Sequence, residues 1–175
     1  FCRTANVNYK LMKTRCKVLS EILTEAEYVQ VTSPAGTDVK VDISGRKAFC
    51  DDGDFTQNGS GGNIPAGEVY ISPVVGKTEG KIVFDGSISS TSKDMLVKNP
   101  VCLQVENGFI TKVYSQGQSP DSLPEKNSEA KKLLDCIIEA EKSAIQREKE
   151  GKIPAGSGEI LKRNARNIGE LGIGL

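Results

Sequence analysis

Two glutamates stand where a carboxylate could do chemistry. Glu68 lies in Asn63-Ile64-Pro65-Ala66-Gly67-Glu68-Val69-Tyr70, and Glu170 lies in Gly169-Glu170-Leu171-Gly172. Each follows a glycine, which lets a ligand or another backbone come close. In an extended segment over 67 to 72, Glu68, Tyr70 and Ser72 share one face, while Val69 and Ile71 share the other. Glu170 is the one charge between Ile168 and Leu175. A carboxylate in such an apolar run needs a cation, a metal or several donors, because burying it unpaired is prohibitive. The competing reading is structural: a glutamate that is exposed or ion-paired, with Arg163 and Arg166 close in sequence to Glu170.

Absences narrow the remaining chemistry. The 175 residues include no histidine, which removes serine–histidine and cysteine–histidine hydrolase arrangements and any histidine metal site drawn from this chain alone. Cys2, Cys16, Cys50, Cys102 and Cys136 form no C-x-x-C pair, so a zinc ribbon or thioredoxin motif is excluded and buried reduced thiols are expected. Gly76-Lys77-Thr78 resembles the end of a phosphate-binding loop, but Ile71 stands where the first glycine belongs. The dinucleotide pattern fails too, with Ile64 in place of its third glycine. Asp51, Asp52 and Asp54 could suggest calcium, yet Asn63 or Pro65 stands where an EF-hand loop needs its closing glutamate. A solvated turn is expected there.

Lysine plus arginine equals aspartate plus glutamate at 23 each, so no bulk basic field points to nucleic acid or an anionic membrane. No apolar run approaches the roughly 20 residues of a membrane span. The chain starts at Phe1 without a leader-like segment, and we expect an internal segment of a longer, cytoplasmic protein.

The elements that must position the two glutamates follow from periodicity. Residues 8 to 26 and 127 to 150 read as amphipathic helices, the second capped by Asn127 or Ser128 and ended by Gly151. The charged last turns of the second helix are expected to project into solvent. Strands are expected at 28 to 32, 38 to 43, 67 to 72, 81 to 84 and 101 to 114. The last is a hairpin about Asn107-Gly108, the signal for a type I′ turn. Residues 51 to 62, 116 to 126 and 153 to 158 read as loops or connectors, and 168 to 175 as an extended glycine-rich run. The expected class is α+β: a mixed or largely antiparallel sheet with a long packed helix and an N-terminal helix. Residues 1–175 are expected to form a single domain or domain fragment, part of a larger two-domain protein.

Asn63-Ile64-Pro65-Ala66-Gly67-Glu68-Val69-Tyr70-Ile71-Ser72-Pro73, followed by Glu79-Gly80, resembles the first metal-ligand motif of the thermophilic metallo-aminopeptidases, the aminopeptidase T and aminopeptidase S group of leucyl aminopeptidase type. The run from Ala165 to Gly174 looks like the second, an Arg-x-x-Gly-Glu pattern. Val105 to Ile110 and Pro34 to Asp38 are similar to the group's hairpin and Gly-Thr-Asp turn. The resemblance implies a metal-dependent exopeptidase acting on peptides, a homodimer, and two divalent ions, zinc or cobalt, about 3.5 to 4 Å apart. It implies Glu68 and Glu170 as metal ligands, the remaining ligands and the catalytic base lying past Leu175. The alternative is a non-catalytic β-rich binding or assembly module on the same scaffold.

Overall fold

The computed structural model describes residues 6–89 and 94–175. Cys2, expected as a buried thiol, lies outside them. The first half of the chain forms α1 (Tyr9–Glu25), β1 (Tyr28–Thr32), β2 (Asp38–Asp42), β3 (Phe49–Asp51), β4 (Glu68–Ile71) and β5 (Thr78–Phe84). Then come β6 (Ser87–Ile88), β7 (Met95–Leu96), β8 (Val101–Glu106), β9 (Phe109–Ser115), α2 (Glu129–Lys149), α3 (Ser157–Asn164) and β10 (Leu171–Gly174). The class is α+β as expected, with antiparallel pairing in each register described.

The chain divides into two compact units. One comprises Phe1–Val29, Val41–Val74 and Gly169–Leu175. Its sheet has the order β10-β4-β3, so the last strand of the chain pairs with one from its middle. Helix α1 starts where the Asn8 side chain accepts the Leu11 N–H at 3.0 Å, satisfying one of the donors that a helix start leaves open. Its apolar face supplies Met12, Cys16 and Leu23 to a core shared with Val69 and Ile71 of β4. Burial pushes the Cys16 thiol above its ordinary value, so it stays protonated and inert.

The other unit comprises Gln30–Lys40 and Val75–Ile168. Its five-stranded sheet has the order β1-β2-β5-β8-β9. Val101, Leu103 and Val113 pack there against Ala130 and Ile137 of α2. The β8–β9 hairpin turns at Asn107 (φ 51°) and Gly108 (φ 78°), the two positive values of a type I′ turn. Gly80 is required for a different reason. Its φ is +128°, and a Cβ there would stand 2.3 Å from the Asp38 carbonyl oxygen.

Helix α2 is capped by Ser128, whose hydroxyl accepts the Lys131 N–H at 3.1 Å. Its last turns do not stand free in solvent. Helix α3, which is not among the elements expected from the sequence, packs against α2. Its N-cap is Gly156, which has no side chain to offer. The Glu148 carboxylate of α2 takes that role, accepting the Gly156 N–H at 2.6 Å and also the Gly158 N–H. A cap supplied by another helix has no local sequence signal, so the start of α3 goes unmarked in the sequence.

Candidate functional site

The β10-β4-β3 sheet has one covered side and one side that carries the polar groups. Val69 and Ile71 are fully buried, and a side chain on Gly67, of the same parity, would meet Met12 of α1. Strand alternation therefore turns Glu68 and Tyr70 to the side away from α1. Across β3, Glu68 is opposed by Asp51 and Tyr70 by Phe49. Across β10, Glu68 is opposed by Gly174 and Tyr70 by Gly172. Two rows result, Gly172-Tyr70-Phe49 and Gly174-Glu68-Asp51.

Glu170 stands one residue before β10 and has the parity of Gly172 and Gly174. It is exposed, whereas Glu68 is half-buried. The structure thus places Glu68 on the central strand of a small sheet and Glu170 one residue before its edge strand β10. A Cβ at Gly172 would lie 2.3 Å from Glu68 Oε1, so the Glu68 carboxylate reaches over the β10 backbone toward the Glu170 end of the strand. Among the described residues neither carboxylate has a hydrogen bond or ion pair.

The two arginines weighed as partners of Glu170 are engaged elsewhere. Arg166 Nε donates to Glu141 Oε1 at 2.6 Å, and the Arg163 guanidinium lies 4.5 Å from the Phe109 ring centroid. The solvated turn expected at 51 to 54 also needs correction. Asp51 is 6% exposed, and its Oδ2 accepts the Asn63 N–H at 2.8 Å. Asp51 is thus the anchor that closes the 52–66 loop back onto β3. Farther along, Asp52 accepts the Asp54 N–H at 3.0 Å, and Asp54 accepts from Thr56 and from the Lys13 ammonium of α1. The Lys13 hydrogen bond, with help from Thr56, holds the Asp54 carboxyl well below the usual carboxylate range.

The donor set does not close a metal centre. Among the described residues no group of three or more His, Cys, Asp and Glu side chains could hold an ion, and the chain has no histidine. Glu68 on β4 and Glu170 just before β10 offer hard oxygen donors only. Phe49 and Gly172, which shape the surroundings of Glu68, were missed by sequence reasoning. Their place beside Glu68 depends on pairing between strands distant in the chain.

A family model described as NicX, 2,5-dihydroxypyridine 5,6-dioxygenase, matches residues 5–123. That span is more than half of the chain. The chain belongs to the NicX family. Among solved structures it is similar to the 2,5-dihydroxypyridine dioxygenase from Pseudomonas putida KT2440, with a TM-score of 0.59 and 24% identity over 72% of this chain and 33% of that one. It is also similar to AmpT from Thermus thermophilus, with a TM-score of 0.58 and 14% identity over 94% of this chain and 34% of that one. At such identities these two likenesses show the fold alone. The chain spans about a third of the length of either structure. No curated protein matches it.

Membership in the NicX family corrects the functional expectation. The aminopeptidase resemblance does not hold, and the hydrolase and exopeptidase readings fall with it. The non-catalytic module is unsupported as well. The Glu68 motif that carried the resemblance lies inside the segment matched by the NicX model. A shared scaffold can carry similar motifs in the same order without sharing a reaction, because function resides in the site and not in the fold. The peptide substrate and the homodimer rested on that resemblance. Among the described residues no helix is long and apolar enough to cross a membrane.

Proposed function

We propose that the chain is part of an enzyme that opens a dihydroxylated pyridine ring with dioxygen. The observation that carries this reading is the NicX match over residues 5–123, a segment that includes Glu68 and its whole motif. The substrate is then a small, flat, hydroxylated heteroaromatic ring.

Dioxygen chemistry suits a redox-active divalent ion with open positions, whereas zinc has no redox chemistry. We therefore favour one such ion over the zinc or cobalt pair expected from the aminopeptidase resemblance. Glu68 is the leading carboxylate for it, with Glu170 second, and the described residues need further donors from elsewhere to complete the set. A cytoplasmic setting accords with the free thiols of Cys16, Cys50, Cys102 and Cys136.

The test is oxygen uptake by the whole enzyme of which this chain is a part, with 2,5-dihydroxypyridine and iron(II), followed together with loss of the ring's ultraviolet absorbance. Uptake should stop on chelation and fall by at least about tenfold in Glu68→Gln. Absence of uptake with iron(II), manganese(II) and cobalt(II) alike would defeat the reading.

A further inference from the structure

Cys50 is exposed, where the sequence led us to expect a buried thiol. It lies on β3, an edge strand of the β10-β4-β3 sheet. Its register partner is Val69, fully buried on the side that faces α1. Paired residues of an antiparallel ladder share a face, so the Cys50 side chain projects to the α1 side. Cys16, on the inner face of α1, is fully buried there.

Contacts at both ends fix how α1 lies along β3. At one end the Thr24 hydroxyl accepts the Ala48 N–H at 3.1 Å, and Ser20 and Thr24 line a groove with Lys47 and Ala48. At the other end Lys13 pairs with Asp54, and a Cβ at Gly53 would stand 2.8 Å from the Tyr9 ring. The two segments therefore run in opposite directions. A helix rises about 1.5 Å per residue and a strand about 3.3 Å, so roughly two helix positions pass for each strand position. Cys16 and Cys50 fall between the two ends at matching height. Tyr9, Lys13, Cys16, Ser20 and Thr24 also follow the three-and-four spacing of one helix side. The α1 and β3 backbones come within 8 Å of each other. The Cys16 thiol is pushed up first by burial and next by Cys50, ahead of Asp52 and Asp51, which agrees with this placement.

We propose that Cys16 and Cys50 form a redox pair, in which Cys50 meets a hydroperoxide and Cys16 resolves the product into a disulfide. The Cys50 sulfur attacks the peroxide: the O–O bond breaks, an S–O bond forms, and water or an alcohol departs with the thiol proton. A sulfenic acid remains on Cys50. The Cys16 sulfur then attacks the Cys50 sulfur. The S–S bond forms, the S–O bond breaks, and the hydroxyl leaves as water with the Cys16 proton. The two thiols have lost two electrons and the peroxide has gained them. Burial hides Cys16 from oxidants in solvent, so its oxidation has to pass through Cys50. A disulfide asks for Cα atoms about 4.4–6.8 Å apart, and a three-residue edge strand can take up a small approach. The link ties α1 to the strand whose next residue, Asp51, is opposed to Glu68. The pair is independent of the ring-opening reading, since neither cysteine lies on the Glu68 side of the sheet.

The experiment treats the whole protein of which this chain is a part with hydrogen peroxide, blocks the remaining thiols, and digests it after lysine without reduction. Such cleavage leaves Cys16 in residues 14–17 and Cys50 in residues 48–77, with no other cysteine in either peptide. Mass spectrometry should find these two peptides joined, and dithiothreitol should separate them. Cys50→Ser changes an exposed position and should keep the fold, abolish the link and leave Cys16 reduced. Cys16→Ala should raise dimedone labelling of Cys50 severalfold, because nothing then consumes the sulfenic acid. A circular-dichroism melt checks that both variants fold, and if Cys16→Ala does not, Cys50→Ser decides alone. Sulfinic acid on Cys50 without the link to Cys16 would overturn the proposal. So would a Cys50 disulfide to any other cysteine or to a second copy of the chain, or oxidation of Cys16 at the wild-type rate in Cys50→Ser.

Discussion

Replacing Asp51 with alanine removes the acceptor for the Asn63 N–H, which belongs to an exposed residue and turns to water instead. Losing such a hydrogen bond costs about 0.5–1.5 kcal/mol, and the 52–66 loop loses the contact that closes it. Denaturant melts should show a loss of that size, and limited proteolysis should cut within the loop first. The Lys13–Asp54 contact makes a second prediction, with a definite sign. The folded-state value of Asp54 lies below its ordinary one, first because of the Lys13 hydrogen bond. Whatever stability the contact contributes is fully present above the ordinary carboxylate range. It is lost only as pH falls through the depressed folded-state value. A carbon-13 NMR titration should therefore find the Asp54 carboxyl titrating at lower pH than exposed aspartates, and moving up toward them in Lys13→Met. A titration unmoved by that substitution would show that Lys13 is not the cause.

Among the elements, α3 depends most visibly on a neighbour. Its first N–H groups are satisfied by Glu148 of α2, and it has no side-chain cap of its own. Glu148→Ala should cost about 1 kcal/mol, the usual loss when a cap is removed. Hydrogen exchange should quicken over Ser157–Asn164 while the middle of α2 stays protected. Equal protection in variant and wild type would mean that packing against α2 alone holds α3 in place. The strands of the candidate site depend on partners in a similar way. β4 has alternation that can be read locally, but β3 and β10 have three and four residues and little pattern of their own. They become strands because β4 offers them a ladder on each edge.

For the molecule as a whole, the balance of 23 basic and 23 acidic residues leaves no net field. The ion pairs described are mostly exposed, as in Lys17–Glu21, where the side chains are 75% and 62% exposed. Arg166–Glu141 is better covered, at 29% and 20%. Exposed pairs contribute little and are screened by salt. Stability should thus change by no more than about 1 kcal/mol between low and molar sodium chloride, measured by urea titration at each salt concentration. A larger loss would point to a charge network that these separate pairs do not reveal.

What near neighbours in the chain determine is legible in the amino-acid sequence itself. The amphipathic stripes of α1 and α2, the Asn107-Gly108 turn, the alternation about Glu68 and the α+β class all rest on such local interactions. Glu68 and Glu170 can likewise be picked out, because a carboxylate in an apolar setting is conspicuous. Tertiary structure decided the rest, because it depends on residues far apart in sequence. It brought β10 to the edge of β4, so that Gly172 makes room for the Glu68 carboxylate. It set Phe49 against Tyr70, buried Asp51 under its own loop, and drew Arg166 to Glu141. It also let Glu148 cap a helix that has no cap signal. The reaction was legible from neither periodicity nor motif order, since one scaffold can present similar carboxylates to different chemistry.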